Sequence, residues 1–234
     1  MRISRPRLKT LRLSSFSSFG GLENFVIALK ARCPAIKHLY TSSGDCSTRT
    51  KSCVSDLICN TSSLRTLSYE GVTSDSHTLK YLSSLPFLRS LNVRLPERLA
   101  QAGFLDSSSN ILPFHAVRHL DVSVASITDA GEFLQMTSSS SYSYLESLLV
   151  TFVRIVPTPE QLRAFFTIIQ RSSFCDTWIM FALQDRVGID RVSPHSLDAH
   201  TLSPLLQCRN LEHISLCTHT TRLASRIPRP IYKV

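Results

Sequence analysis

The hexamer Leu88-Arg89-Ser90-Leu91-Asn92-Val93 carries apolar residues at its first, fourth and sixth positions, and that spacing recurs along most of the chain. Copies begin at residues 8, 36, 64, 88, 117, 145 and 211, with a looser one at 175. Successive starts are 28, 28, 24, 29, 28, 30 and 36 residues apart. Chance produces such a pattern once or twice, but not eight times at near-constant spacing. Self-similarity at a fixed period means that one supersecondary unit is copied, each unit burying its apolar face only against its neighbours. Within a hexamer, strand alternation sends the first, fourth and sixth side chains inward and the third and fifth outward.

Between the hexamers the period changes. Leu22, Phe25, Val26 and Leu29 keep the spacing of a helix with one buried face, which Cys33-Pro34 brings to an end. Cys53, Val54, Leu57 and Ile58 form a second stripe, and Leu79, Leu82 and Leu85 a third, closed by Pro86. The fourth return (Leu99, Ala102, Phe104, Leu105) is less regular and runs into a Ser-rich loop at 106–110. The fifth opens Ile127-Thr128-Asp129-Ala130-Gly131 and dissolves into a Ser/Tyr patch at 137–144, expected to be a mobile loop. The sixth has the clearest helix start: Thr158 as N-cap, Pro159 at the first helical position and Gln161 completing a capping box. Leu162, Phe165, Phe166 and Ile169 supply its buried face, and Leu202, Leu205 and Leu206 that of the long seventh return.

Strand and helix in alternation join parallel strands through crossovers. The expected architecture is therefore an α/β solenoid over residues 8–216 in about eight irregular repeats, with a curved parallel sheet inside and helices outside. A short basic segment, 1–7, precedes it, and an unstructured basic tail, 217–234, follows. The Arg- and Ser-rich stretch to Leu22 has the composition of a transit peptide, but Leu8 lies one full step before Ile36 and favours a repeat.

The pattern resembles leucine-rich repeats, in particular those of F-box proteins, including the many divergent ones of basidiomycete fungi. Cys33-Pro34-Ala35-Ile36 and Cys208-Arg209-Asn210-Leu211 are similar to the C-x-x-L entry of the cysteine-containing repeat subtype, and Ile127-Thr128-Asp129-Ala130-Gly131 to its I-T-D-x-G turn. The resemblance makes Cys33 and Cys208 core thiols and implies a substrate-recognition module of a ubiquitin-ligase adaptor. The ninth position of the repeats holds Phe16, Gly44, Val72, Pro96, Ala125, Val153, Leu183 and His219 rather than asparagine, so irregular turns are expected. No F-box helices are visible before Leu8, so ubiquitin-ligase subunits would join only through an F-box supplied elsewhere. The chain is accordingly expected to be a partial product of a longer adaptor.

Composition narrows the function classes. Seven glycines, and neither G-x-x-x-x-G-K nor G-x-G-x-x-G, argue against a phosphate-binding loop, and G-x-S-x-G is missing too. No catalytic set emerges, and His195 and His200 would need a helix over 194–201 to share a face. The reading is a binding protein without enzymatic activity or cofactor. Seven cysteines without C-x-x-C, and no apolar leader or span, point to a reduced compartment, cytoplasmic or nuclear. Cys208, His213, Cys217 and His219 come nearest a metal set, but His213 and Cys217 on one strand face with Cys208 packed in the core is the favoured reading, and no metal is expected.

Two sets of positions form candidate surfaces. The outward third and fifth positions hold Thr10, Arg12, His38, Tyr40, Thr66, Ser68, Ser90, Asn92, His119, Asp121, Ser147, Leu149, Thr177, Ile179, His213 and Ser215. Among them Arg12, His38, Tyr40, Ser68, Asn92, His119, Asp121, Ser147, His213 and Ser215 are the candidate contacts of a protein ligand on the concave face. The second positions read Lys9, Lys37, Arg65, Arg89 and Arg118, then Glu146, Asp176 and Glu212, a ladder that changes sign. The chain's net charge of +9 is unevenly placed. Residues 1–118 hold 16 basic against 7 acidic side chains, 119–221 hold 6 against 10, and the tail 222–234 holds 4 basic and no acidic ones. A nucleic-acid surface on the basic half, 1–118, is the alternative function, although its only strand aromatics are Tyr40 and Tyr69.

Overall fold

A computed structural model of the chain describes residues 8–14, 22–33, 35–42, 48–72, 76–95, 114–138, 145–153, 157–171, 180–185 and 198–218. The elements are β1 (Thr10–Ser14), α1 (Leu22–Arg32), β2 (His38–Ser42), α2 (Thr48–Cys59), β3 (Thr66–Val72), α3 (Ser76–Ser83) and β4 (Ser90–Arg94). They continue with β5 (His119–Val124), α4 (Ile127–Ser138), β6 (Ser147–Phe152), α5 (Pro159–Arg171), β7 (Met180–Asp185), α6 (Ala199–Leu206) and β8 (His213–Thr218). The strands form one parallel sheet in sequential order, β1 to β8. The fold is α/β, a strand and helix alternating along most of its length.

Each strand begins at the third hexamer position, and the pairing register reproduces the early spacings. Thr10 faces His38, which faces Thr66, then Ser90, His119 and Ser147. The seventh unit departs from expectation. Met180 pairs with Ser147 and His213 with Met180, so both last steps are 33 residues instead of 30 and 36. The seventh hexamer therefore begins at 178, three residues after the looser copy at 175. Its phase was unreadable because 178–183 is a continuous apolar run, and only an alternating pattern reports which residues face inward.

The fourth positions Leu39, Leu67, Leu91, Leu120 and Leu148 are all buried and line up across the sheet. They join one core with Val26 and Leu29 of α1, Val54, Leu57 and Ile58 of α2, Leu79 and Leu82 of α3, and Leu162, Phe165, Phe166 and Ile169 of α5. Third and fifth positions lie outside that core, half-buried or exposed where their side chains are described. Two expected helix contacts are corrected. Phe25 is 44% and Leu206 69% exposed. The real stripes are Val26-Leu29-Cys33 and Thr201-Pro204-Leu205, and a neighbouring residue lies about 100° round the helix. The irregular fourth return, the patch beyond Ser138 and the tail beyond Thr218 fall outside the described residues. Cys217 and Thr218, assigned above to the tail, belong to β8.

Helix starts use side-chain caps. Thr158 N–H donates to Gln161 Oε1 at 2.9 Å while Gln161 N–H donates to Thr158 Oγ1 at 3.3 Å, as the spacing predicts. Ser126 and Asp129 make a second reciprocal cap: Ser126 Oγ–H donates to Asp129 Oδ2 at 2.7 Å, and Asp129 N–H to Ser126 Oγ at 3.3 Å. This places the aspartate of the I-T-D-x-G stretch in a capping role. Its glycine permits close packing, since a Cβ on Gly131 would stand 3.1 Å from Ile168 Cδ1 of α5.

Thr41 occupies a sixth position, where β3 to β6 carry Tyr69, Val93, Val122 and Val150. It is 2% exposed, and its hydroxyl has no hydrogen-bond partner among the described residues. Thr41→Val keeps the shape and removes the buried hydroxyl, so we expect it to stabilise the fold by about 1 kcal/mol. Urea denaturation checks this: the midpoint rises at unchanged slope. A lower midpoint would mean that the hydroxyl is bonded.

Candidate functional site

The pairing register turns the third and fifth hexamer positions into two rows crossing the sheet on the face turned away from the helices. The first row holds Thr10, His38, Thr66, Ser90, His119, Ser147, Met180 and His213. The second holds Arg12, Tyr40, Ser68, Asn92, Asp121, Leu149, Ala182 and Ser215. All ten expected contact residues fall in these rows. The places expected for Thr177 and Ile179 belong instead to Met180 and Ala182, a consequence of the three-residue correction.

Neighbouring strands lock parts of this face sideways. His38 Nδ1 shares a hydrogen bond with Thr66 Oγ1 at 3.1 Å, and His119 Nδ1 with Ser147 Oγ at 3.2 Å. Asn92 Nδ2 donates to Asp121 Oδ2 at 2.6 Å. The Arg12 guanidinium lies 4.9 Å from the centre of the Tyr40 ring, within cation–π range. These contacts restrict the rotamers of the side chains on this face, and side chains already ordered lose less entropy in any association.

The second positions form a row of their own, immediately before each strand. Lys37 N–H donates to Lys9 O at 2.8 Å, Arg65 to Lys37 O at 2.7 Å, Arg89 to Arg65 O at 2.8 Å and Arg118 to Arg89 O at 2.8 Å. Glu146 N–H continues the row to Arg118 O at 2.7 Å. Where the sign changes, Arg118 Nη1 meets Glu146 Oε1 at 2.7 Å, and His119 Nε2 lies 3.7 Å from Glu146 Oε2. Asp176, expected as the next rung, lies outside the described residues. Glu212, exposed just before β8, stands at the second position of the eighth unit.

His38 follows Lys37 of this row directly. Desolvation, then the charges of Arg65 and Lys37, lower its pKa below the ordinary imidazole value. A depressed histidine favours the neutral form in the folded state. Its contribution to stability is present above the unfolded pKa of about 6.5 and is lost as pH falls through the folded value. In an NMR titration, the His38 ring protons are expected to titrate below about 6.5 and to move upward in Arg65→Gln. An unmoved midpoint would remove Arg65 as a cause.

Both entry cysteines are buried, and Cys208 Sγ lies 3.9 Å from Pro204 O. His200 is on α6, which starts at Ala199, and His195 lies outside the described residues. One contact escaped the sequence reading: Cys59 Sγ of α2 is 3.7 Å from His77 Nδ1 of α3. Burial, then the adjacent Cys59, raises the Tyr81 pKa. The spacing of 18 residues gives no hint of this contact, because it depends on how α2 and α3 rotate against each other. Among the described residues, no helix is long and apolar enough to cross a membrane, and no three His, Cys, Asp or Glu side chains gather as metal ligands. No family model, curated protein or solved structure matches the chain.

Proposed function

We propose that the chain is a leucine-rich-repeat interaction module that holds a protein ligand on the open, concave face of its sheet. In this reading it acts as the substrate-recognition part of an F-box type ubiquitin-ligase adaptor, in the cytoplasm or nucleus, and catalyses no reaction itself. The observation that carries the reading is the sheet face turned away from the described helices, whose two mostly polar rows are locked sideways by His38–Thr66, His119–Ser147, Asn92–Asp121 and Arg12–Tyr40. Repeat arrays present this kind of extended surface to proteins. The test is a photo-crosslinking side chain introduced at Ser68, in the middle of the face, and at Arg163, exposed on α5. In cell extract, Ser68 is expected to capture a discrete protein that Arg163 does not. Capture of chaperones alone, or equally from both positions, would end the reading.

The basic row gives a nucleic-acid surface as the second reading. Against it, Tyr69 is 1% exposed in the core and cannot stack on a base, which leaves Tyr40, already beneath Arg12. Undetectable binding to mixed DNA and RNA at low salt would dispose of this alternative.

A further inference from the structure

We propose that Lys9, Lys37, Arg65 and Arg89 seat an acidic helix of a partner protein, laid across the strands with one carboxylate per turn over each rung. This rests on the interaction-module reading and names the chemistry of the ligand. The backbone bonds from Lys9 through Arg89 place the four cations on adjacent strands. Lys9, Arg65 and Arg89 are exposed and Lys37 half-buried. Among the described residues none of the four has a carboxylate within ion-pair distance, whereas the next rung, Arg118, is engaged by Glu146. The seat therefore ends at Arg89, one rung before the sign changes.

Spacing selects the helix. Adjacent strands lie about 4.8 Å apart, so four rungs span roughly 14 Å. A helix repeats a side-chain position about every 5.4 Å, or roughly 16 Å over the same three intervals. The difference of about 2 Å is within the reach of lysine and arginine stems. An extended peptide repeats on one side about every 6.7 Å and runs roughly 6 Å out of step over the row. Charge selects a polypeptide over a nucleic acid. A continuous polyanion running past Arg89 and Arg118 would meet Glu146, whereas a four-turn acidic helix stops short of it.

The test is fluorescence anisotropy with three ligands: an alanine-based helical peptide bearing four glutamates one turn apart, its proline-interrupted isomer of equal composition, and single-stranded oligo-dT. Wild type is compared with the Arg65→Glu/Arg89→Glu and Arg65→Gln/Arg89→Gln double variants. The helical peptide is expected to bind most tightly at low salt and to lose about tenfold in affinity on double charge reversal, with the glutamine pair between. Added salt should shrink these differences. Urea midpoints within error of wild type would show that the variants are folded, since both side chains are exposed. Equal binding of the proline isomer, tighter binding of oligo-dT, or no effect of charge reversal would each overturn the proposal. If the Ser68 crosslink to a protein from extract survives in the doubly reversed chain, the acidic-helix seat is wrong while the interaction module stands.

Discussion

Phe166→Ala is expected to cost about 3–5 kcal/mol, the usual range for truncating a buried aromatic side chain. Phe166 is fully buried on α5, with its ring centroid 6.0 Å from that of Phe165. Two things add to the effect. The helix is held at its start by the Thr158–Gln161 box and closely approached by α4 at Gly131, so it has little freedom to settle into the cavity. It also contacts both α4 and α6, and in a stacked array each unit is stabilised mainly by its neighbours. Loosening α5 therefore weakens two interfaces at once. Phe166→Leu retains most of the volume and should lose less, and Arg163→Ala, on the exposed side, should stay within about 0.5 kcal/mol of wild type. Urea denaturation followed by circular dichroism reads all three. A reduced slope in Phe166→Ala, with a broadened transition, would show the array coming apart in pieces. A loss below about 1 kcal/mol would mean that Phe166 is not at a packed centre.

The strands were legible because leucine at the fourth position is flanked by polar residues in most copies. Leu67 sits between Thr66 and Ser68, and Leu91 between Ser90 and Asn92, so the inward residue identifies itself. From that phase and a 28-residue step, the neighbours His38 and Thr66, or His119 and Ser147, follow arithmetically. The same logic failed in β7, where Met180, Phe181, Ala182 and Leu183 offer no polar residue to mark the outward face. Helix stripes were read slightly too wide. Phe25 and Leu206 are apolar but lie one residue off the buried line, and apolar character alone does not decide burial. Caps were legible only when the familiar Thr-x-x-Gln pattern announced them. Ser126 with Asp129, and Asp198 accepting from Thr201 N–H at 2.7 Å, use the same geometry with other residues. The candidate surface follows from the strand phase, while its sideways locks needed rotamers that no spacing reveals.

A proline at Arg89 separates what the backbone does on the basic row from what the side chain does. Arg89 N–H donates to Arg65 O at 2.8 Å, and Arg89 O accepts from Arg118 N–H at 2.8 Å and His119 N–H at 3.0 Å. Proline deletes the first bond and puts its ring where the Arg65 carbonyl approaches. Arg65 O keeps one partner, Ser90 N–H at 3.1 Å, so the loss combines one ladder bond with the steric conflict. Together these are expected to cost about 3 kcal/mol. The site lies at the start of β4, between β3 and β5, and not at a sheet edge where proline is tolerated. Arg89→Gln removes the same charge from an exposed side chain while leaving the N–H in place, and should move stability by no more than about 0.5 kcal/mol. The expected result is thus a pair of urea curves with one early midpoint, for proline, and one near wild type, for glutamine. Coincident curves would show that Arg89 is not bonded into the row. The rungs would then lose the strand spacing that makes them a match for a helix.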